Sequence, residues 1–146
     1  MDEHMIEQHN SVVRPNDKVY FLGDLTFSKK NMHLISRLNG DKILIKGNHD
    51  TLPISEYLPY FRDIRAIHQF HGMILSHIPI HPDSIRRWGA NVHGHTHDLN
   101  VMTGFGTQKD ERYICVCMEQ INYTPISLED VKKKIQARGI KPGQMY

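Results

Sequence analysis

Ile43-Leu44-Ile45-Lys46-Gly47-Asn48-His49-Asp50 opens as a short run of β-branched and leucine residues and closes on a glycine and three polar side chains. An apolar run of this kind, bounded by turn residues, reads as a buried strand. A purely structural turn after it would be satisfied by Asn-Gly or Asp-Gly and has no use for a histidine. Working outward, the same design recurs three times. Val19-Tyr20-Phe21-Leu22 runs into Gly23-Asp24, Met73-Ile74-Leu75 into Ser76-His77, and Asn91-Val92 into His93-Gly94-His95-Thr96-His97. Four strands thus carry Asp, Asn-His, His and His-x-His at their C-terminal ends, where open α/β sheets place their sites. The expected fold class is α/β.

The chain of 146 residues is read as one domain, 1–146, large enough to bury a core. Charged residues at 23% and hydrophobic ones at 39% are ordinary for a globular protein. The formal net charge of +2, from 18 basic and 16 acidic residues, is too small to suggest a nucleic-acid or membrane surface by itself. The 11 histidines are the outlier, and they are dispersed along the chain. No stretch approaches the ~20 apolar residues of a membrane span, and no charged-then-apolar leader is legible. A cytoplasmic setting and no membrane partner are expected. Cys115 and Cys117 lie too close on a strand for a disulfide and lack the further thiols of a closed zinc set. They read as small apolar residues of a core strand.

Taken in order, residues 2 to 11 have helical spacing, and Pro15-Asn16-Asp17 turns the chain into the Val19–Leu22 strand. Asp2-Glu3-His4 offers an Asp-x-His pair, but with no strand before it the better reading is a solvated helix start. Asp24 alone would serve equally as a cap for helix over Ser28–Leu38. Ile64–Leu75 suggests a hairpin with Gln69-Phe70-His71-Gly72 near its turn, and His68 and His71 are read as surface or turn residues. Pro82 opens a short helix expected to carry Arg86, Arg87 and Trp88 on an exposed face. Gly104-Phe105-Gly106 marks a loop, and Tyr113–Met118 a buried strand. Ser127 caps a last helix whose apolar face is Leu128, Val131 and Ile135, stopped at Gly139.

No single polar residue here is decisive; the ordered set is. Carboxylate oxygen, imidazole nitrogen and an Asn carbonyl together suit manganese, iron, zinc or cobalt rather than calcium or an iron-sulfur cluster. A carboxylate can bridge two cations, which makes Asp24 the natural shared ligand. Two cations ~3.5–4 Å apart would clamp a phosphate and activate a water. His49 could protonate a leaving alkoxide, with Asp50 orienting its ring.

Gly23-Asp24, Gly47-Asn48-His49-Asp50, Ser76-His77 and Gly94-His95-Thr96-His97 together resemble the calcineurin-like metallophosphoesterases. The match runs in that family's order and with similar spacing over roughly residues 10 to 138, nearest to small bacterial and phage-type phosphoesterases. The resemblance implies a four-layer α/β/β/α sandwich and hydrolysis of a phosphate monoester or diester. It implies that Asp24 bridges two divalent metal ions, that Asn48, His77 and His95 bind one of them and His97 the other, and that His49 donates a proton.

The departure is at the start. These enzymes open with a strand ending in Asp-x-His, which supplies the remaining ligands of the His97 cation, and the pattern here begins in the helix after it. Two readings follow: an N-terminally shortened form of a longer protein, or a natural variant holding one metal. The first strand missing from the sheet would expose an edge that a second copy could cover. The expected function is metal-dependent phosphate-ester hydrolysis, with a nucleotide among the candidate substrates. The alternative is a non-catalytic, single-metal-binding relative acting as a regulatory module. A nucleic-acid substrate stays open, although no long basic track for duplex DNA is present.

Overall fold

A computed structural model describes residues 3–25 and 28–141. Asp2 lies outside the described residues; His4 is exposed on the first helix, α1 (Glu3–Val12). Ile6 and His9, three residues apart, form the buried stripe of α1. His9 donates from Nε2 to the Asn39 carbonyl at 2.8 Å and stacks on Phe21 with ring centroids 5.8 Å apart. The helix is thereby held to the first sheet.

That sheet is parallel, in the order β1 (Lys18–Phe21), β2 (Asp41–Ile45), β3 (Asp63–Arg65), so β1 stands at an edge among the described residues. Phe21, Leu44 and Ile64 are in register and share one face. They pack with Met32 and Ile35 of a 3₁₀ helix (Lys29–Arg37), with Tyr57 of α2 (Ile54–Tyr57), and with Phe61. The expected helix over 28–38 therefore exists but is wound more tightly, and Ser28 caps it without a side-chain bond. Tyr20 and Ile43, the alternate residues, face the other way.

There the second sheet begins. β4 (Ile67–Phe70) pairs antiparallel with β5 (Met73–Ser76), which runs parallel to β6 (Ala90–His93). A small hairpin, β7 (Met102–Thr103) and β8 (Gln108–Lys109), holds Gly104–Gly106 at its turn. β9 (Tyr113–Cys115) then adds in parallel to β6. Leu75, Val92 and Ile114 align across the sheet and form one core with Val131 and Ile135 of α4 (Leu128–Ala137). Tyr20 and Leu22 pack against the same core. One face of the second sheet is thus shared between β1 and α4. Ser127 caps α4 as its sequence suggests, its hydroxyl accepting from the Asp130 N–H at 3.1 Å.

Four local expectations need correction. Ile64 belongs to β3 in the first sheet, so the hairpin is only β4–β5. His68 is not at its turn: it sits within β4 and stacks on Tyr20 across the two sheets, with centroids 5.2 Å apart. Helix α3 (Pro82–Ile85) ends before Arg87 and Trp88, and β9 ends at Cys115, with Cys117 capping a second 3₁₀ turn (Met118–Gln120). No helix among the described residues is long and apolar enough to cross a membrane.

Candidate metal centre

Parallel pairing of β1 with β2 and of β5 with β6 sends the loops after all four strands to the same ends of their sheets. The loops touch backbone to backbone. A Cβ on Gly23, whose φ is +88°, would lie 2.5 Å from the Gly47 nitrogen and 2.7 Å from His77 Nδ1. A Cβ on Gly47 would fall on the Asp24 carboxylate. Both glycines are needed for approach, not only for turning.

Asp50 ties these two loops together. Although it is only 4% exposed, its carboxylate accepts backbone N–H bonds from Gly47 (2.7 Å), Asp24 (2.8 Å) and Leu25 (2.9 Å). The orienting bond to the His49 ring expected from the sequence is not among them. The His49 side chain is exposed, while its backbone N–H donates to Asp24 Oδ1 at 2.8 Å.

The other oxygen of Asp24 meets the histidines. His77 is 4% exposed and its Nδ1 lies 2.6 Å from the Leu22 carbonyl. A carbonyl can only accept, so Nδ1 carries a proton, and the neutral tautomer with that proton has its lone pair at Nε2. That atom lies 2.9 Å from Asn48 Oδ1, 3.1 Å from His95 Nδ1 and 3.1 Å from Asp24 Oδ2. Oxygen and nitrogen atoms able to ligate a cation therefore converge on one point from four separate loops. Asp24, His77 and His95 are the described residues whose ligand atoms all fall within 4.8 Å of one another.

Backbone strain gathers at the same place. Asp24 (φ +55°), His95 (φ +67°) and His97 (φ +51°) all adopt the left-handed conformation without being glycine. Each costs on the order of 1–2 kcal/mol and persists only where surrounding bonds over-determine it. At His97 the over-determination comes from β9 and the turn after it. The Cys115 thiol donates to the His97 carbonyl at 3.6 Å and contacts Thr96 Oγ1 at 3.5 Å, and Gln120 Nε2 donates to the His97 carbonyl at 2.7 Å. The two cysteines are free thiols, and burial, followed by the neighbouring Cys115, pushes the Cys117 thiol up to about 12.

His97 itself stands apart from the cluster. Its exposed ring bonds Glu119 through Nδ1 at 3.0 Å, which raises the imidazole pKa and lowers that of the carboxyl. His93, behind the cluster, is 1% exposed and donates to the Gly94 carbonyl at 2.8 Å. Burial, only partly offset by that bond, lowers its pKa.

Of the residues singled out in the sequence, Asp24, Asn48, His77 and His95 are brought together, His49 stands beside them, and Asp50 lies beneath. Glu119, Gln120 and the Leu22 carbonyl were missed. No motif spacing marks Glu119 or Gln120, and a backbone carbonyl leaves no trace in residue identity.

No family model matches the chain. The uncharacterized protein MJ1445 of Methanocaldococcus jannaschii is 34% identical over 140 residues, spanning 93% of this chain and 76% of that protein. The crystal structure of a protein of unknown function from Aquifex aeolicus, AQ665, matches with a TM-score of 0.64 at 27% identity. That match covers 89% of this chain and 82% of the other.

Proposed function

We propose, from the premise that this chain belongs to the same family as MJ1445, that it hydrolyses phosphate esters with a divalent cation held by Asp24, Asn48, His77 and His95. One observation carries the reading: Asn48 Oδ1, His95 Nδ1 and Asp24 Oδ2 converge on His77 Nε2 while Nδ1 of that ring is committed to Leu22. With no proton on Nε2, these acceptors have no donor among them and repel. A divalent cation relieves that repulsion, and the residue types fit. Carboxylate, amide oxygen and two imidazoles are borderline donors. With bonds of about 2.1 Å, adjacent ligands at right angles sit about 3.0 Å apart, close to the 2.9–3.1 Å found here.

When bound, such a cation supplies Lewis acidity and a water of lowered pKa. This chain's own residues do the rest. The Asp24 carboxylate, fixed by the His49 N–H, offers Oδ2 to the centre. His49, exposed beside Asn48, is placed to give a proton to the departing oxygen of an ester. Asp50 keeps the Asp24 and Asn48 loops in register and acts as a positioning residue. His97 is the remaining candidate ligand, for a second cation shared through Asp24. We read the two facing sheets as the inner layers of the expected α/β/β/α sandwich.

A second reading, a module that holds one cation without hydrolysis, draws on the engagement of His97 by Glu119 outside the cluster. The deciding experiment measures metal per folded chain after growth with manganese, then hydrolysis of p-nitrophenyl phosphate and bis(p-nitrophenyl) phosphate. Metal-dependent turnover that disappears in Asp24→Ala supports the enzyme. Bound metal with no turnover of either ester supports the module. A chain that binds no metal overturns both.

A further inference from the structure

The two sheets also flank an open cleft of about 610 Å³ at the end away from the metal cluster. Its walls include Lys18 and Tyr20 of β1, Arg62 and Arg65 around β3, and His68 and Phe70 of β4, and it shares no lining residue with the cluster. Strand β1 runs from Lys18 at this cavity toward Asp24 at the other end.

The lining has two characters. Lys18, Arg62 and Arg65 outnumber the one lining acid, Asp63. Arg65 is held by Asp63 at 2.6 Å and Arg62 by Asp41 at 3.0 Å, whereas Lys18 forms no ion pair among the described residues. Beside these cations stands an aromatic wall. Tyr20 stacks on His68 and meets Phe70 at a centroid distance of 5.0 Å.

The hydrogen bonds give this wall a direction. Arg65 Nη1 lies 3.0 Å from His68 Nδ1, and a guanidinium can only donate. His68 therefore accepts at Nδ1. An imidazole that accepts at Nδ1 carries its proton on Nε2, and burial first, then Arg65, lower its pKa in the same sense. That proton points at the Tyr20 hydroxyl, 3.3 Å away. Tyr20 Oη thus receives a hydrogen bond and keeps its own O–H to donate. A relayed hydroxyl donor stands with an unpaired ammonium and two guanidinium groups around one cavity.

We propose that this cavity is a second binding site, for a small phosphorylated anion that carries a planar ring, of nucleoside monophosphate type. Lys18, the Tyr20 hydroxyl and the Arg62 and Arg65 guanidinium groups take the phosphate, and the Tyr20–Phe70 wall takes the ring. The volume lies within the range of small-ligand sites. The site does not depend on the metal centre or on hydrolysis.

Trp88, the one tryptophan of the chain, donates from Nε1 to Gln69 at 2.9 Å, and Gln69 lines the cavity. It is a built-in fluorescence reporter. The test titrates full-length protein, stripped of metal with a chelator and dialysed, with adenosine monophosphate, inorganic phosphate and adenosine. Adenosine monophosphate should bind at least tenfold more tightly than either fragment. Lys18→Glu, on an exposed strand start, should weaken it tenfold or more, and Tyr20→Phe, which keeps the ring, about threefold to tenfold. Asp24→Asn should leave it unchanged. Absence of binding at millimolar nucleotide overturns the proposal, as does unchanged affinity in both Lys18→Glu and Tyr20→Phe. Equal affinity for adenosine or for phosphate overturns the paired recognition of ring and anion. Loss of binding in Asp24→Asn assigns the ligand to the metal centre and overturns the second site.

Discussion

Leu22 and His77 are joined by a 2.6 Å hydrogen bond from the imidazole Nδ1–H to the backbone carbonyl. This bond chooses the tautomer. In the neutral ring it leaves Nε2 as a lone pair facing Asn48, His95 and Asp24, the tautomer a cation would need. Leu22 stands two residues before Asp24, so the same loop that supplies a carboxylate also orients the histidine across from it.

Adding manganese at a hundredfold excess over its dissociation constant is expected to stabilise the fold by about 2.7 kcal/mol. For a chain of this size that raises the melting temperature by about 5–10 °C, and a chelator should reverse it. Asp24→Ala and His95→Ala should melt without responding to manganese. A full response in either variant would remove that residue from the ligand set.

His49→Ala should keep its metal and lose rate. General acid catalysis contributes about 10²–10⁴-fold, so the loss should approach that range for alkyl phosphate esters. It should be small for p-nitrophenyl esters, whose leaving group needs no proton. Steady-state kinetics on both substrates checks this, with metal content measured alongside. A variant that folds but has lost its metal would show that His49 is a ligand rather than a proton donor.

Asp50→Asn replaces an acceptor of three backbone N–H groups with an amide that turns donors toward some of them. A buried carboxylate so engaged is worth on the order of 3 kcal/mol, or roughly 10 °C in melting temperature. Metal affinity should fall with it, because the Asp24 and Asn48 loops lose their common anchor. Thermal melts with and without manganese read both effects, and a variant as stable as the parent would refute the anchoring role.

His9 supplies a pH dependence outside the candidate metal centre. Burial first lowers its pKa from the ordinary 6.5, opposed by the bond to Asn39. Below 6.5 the unfolded chain takes up a proton that the folded chain refuses, so stability falls as pH drops through this window and recovers above it. Denaturant melts between pH 5 and 7 should show stability rising with pH. His9→Gln should make that slope shallower, and an unchanged slope would assign the dependence to the other buried histidines.

The elements that lie within a few residues of their own signals were legible. The strands at 18–21, 41–45, 73–76 and 90–93 are short apolar runs closed by glycine or polar residues, and α4 carries both its cap and its apolar stripe. Helical spacing over 29–37 was legible too, though its 3₁₀ winding was not. His68 was misplaced because a strand residue and a turn residue look alike in a run of alternating pattern. Its role is set by Tyr20, 48 positions earlier in the chain.

What the sequence determined by itself is which chemistry reaches the strand ends: Asp24, Asn48-His49, His77 and His95 are fixed there by motifs only a few residues long. What the tertiary structure decided is how each of them is used. The His77 proton is committed by a carbonyl 55 residues away, Asp50 is drawn to amides 25 and 26 residues away, and His97 is taken by a glutamate 22 residues on. A hydrogen bond forms between groups that folding brings within about 3 Å, and such partners have no spacing in the chain by which to be recognised.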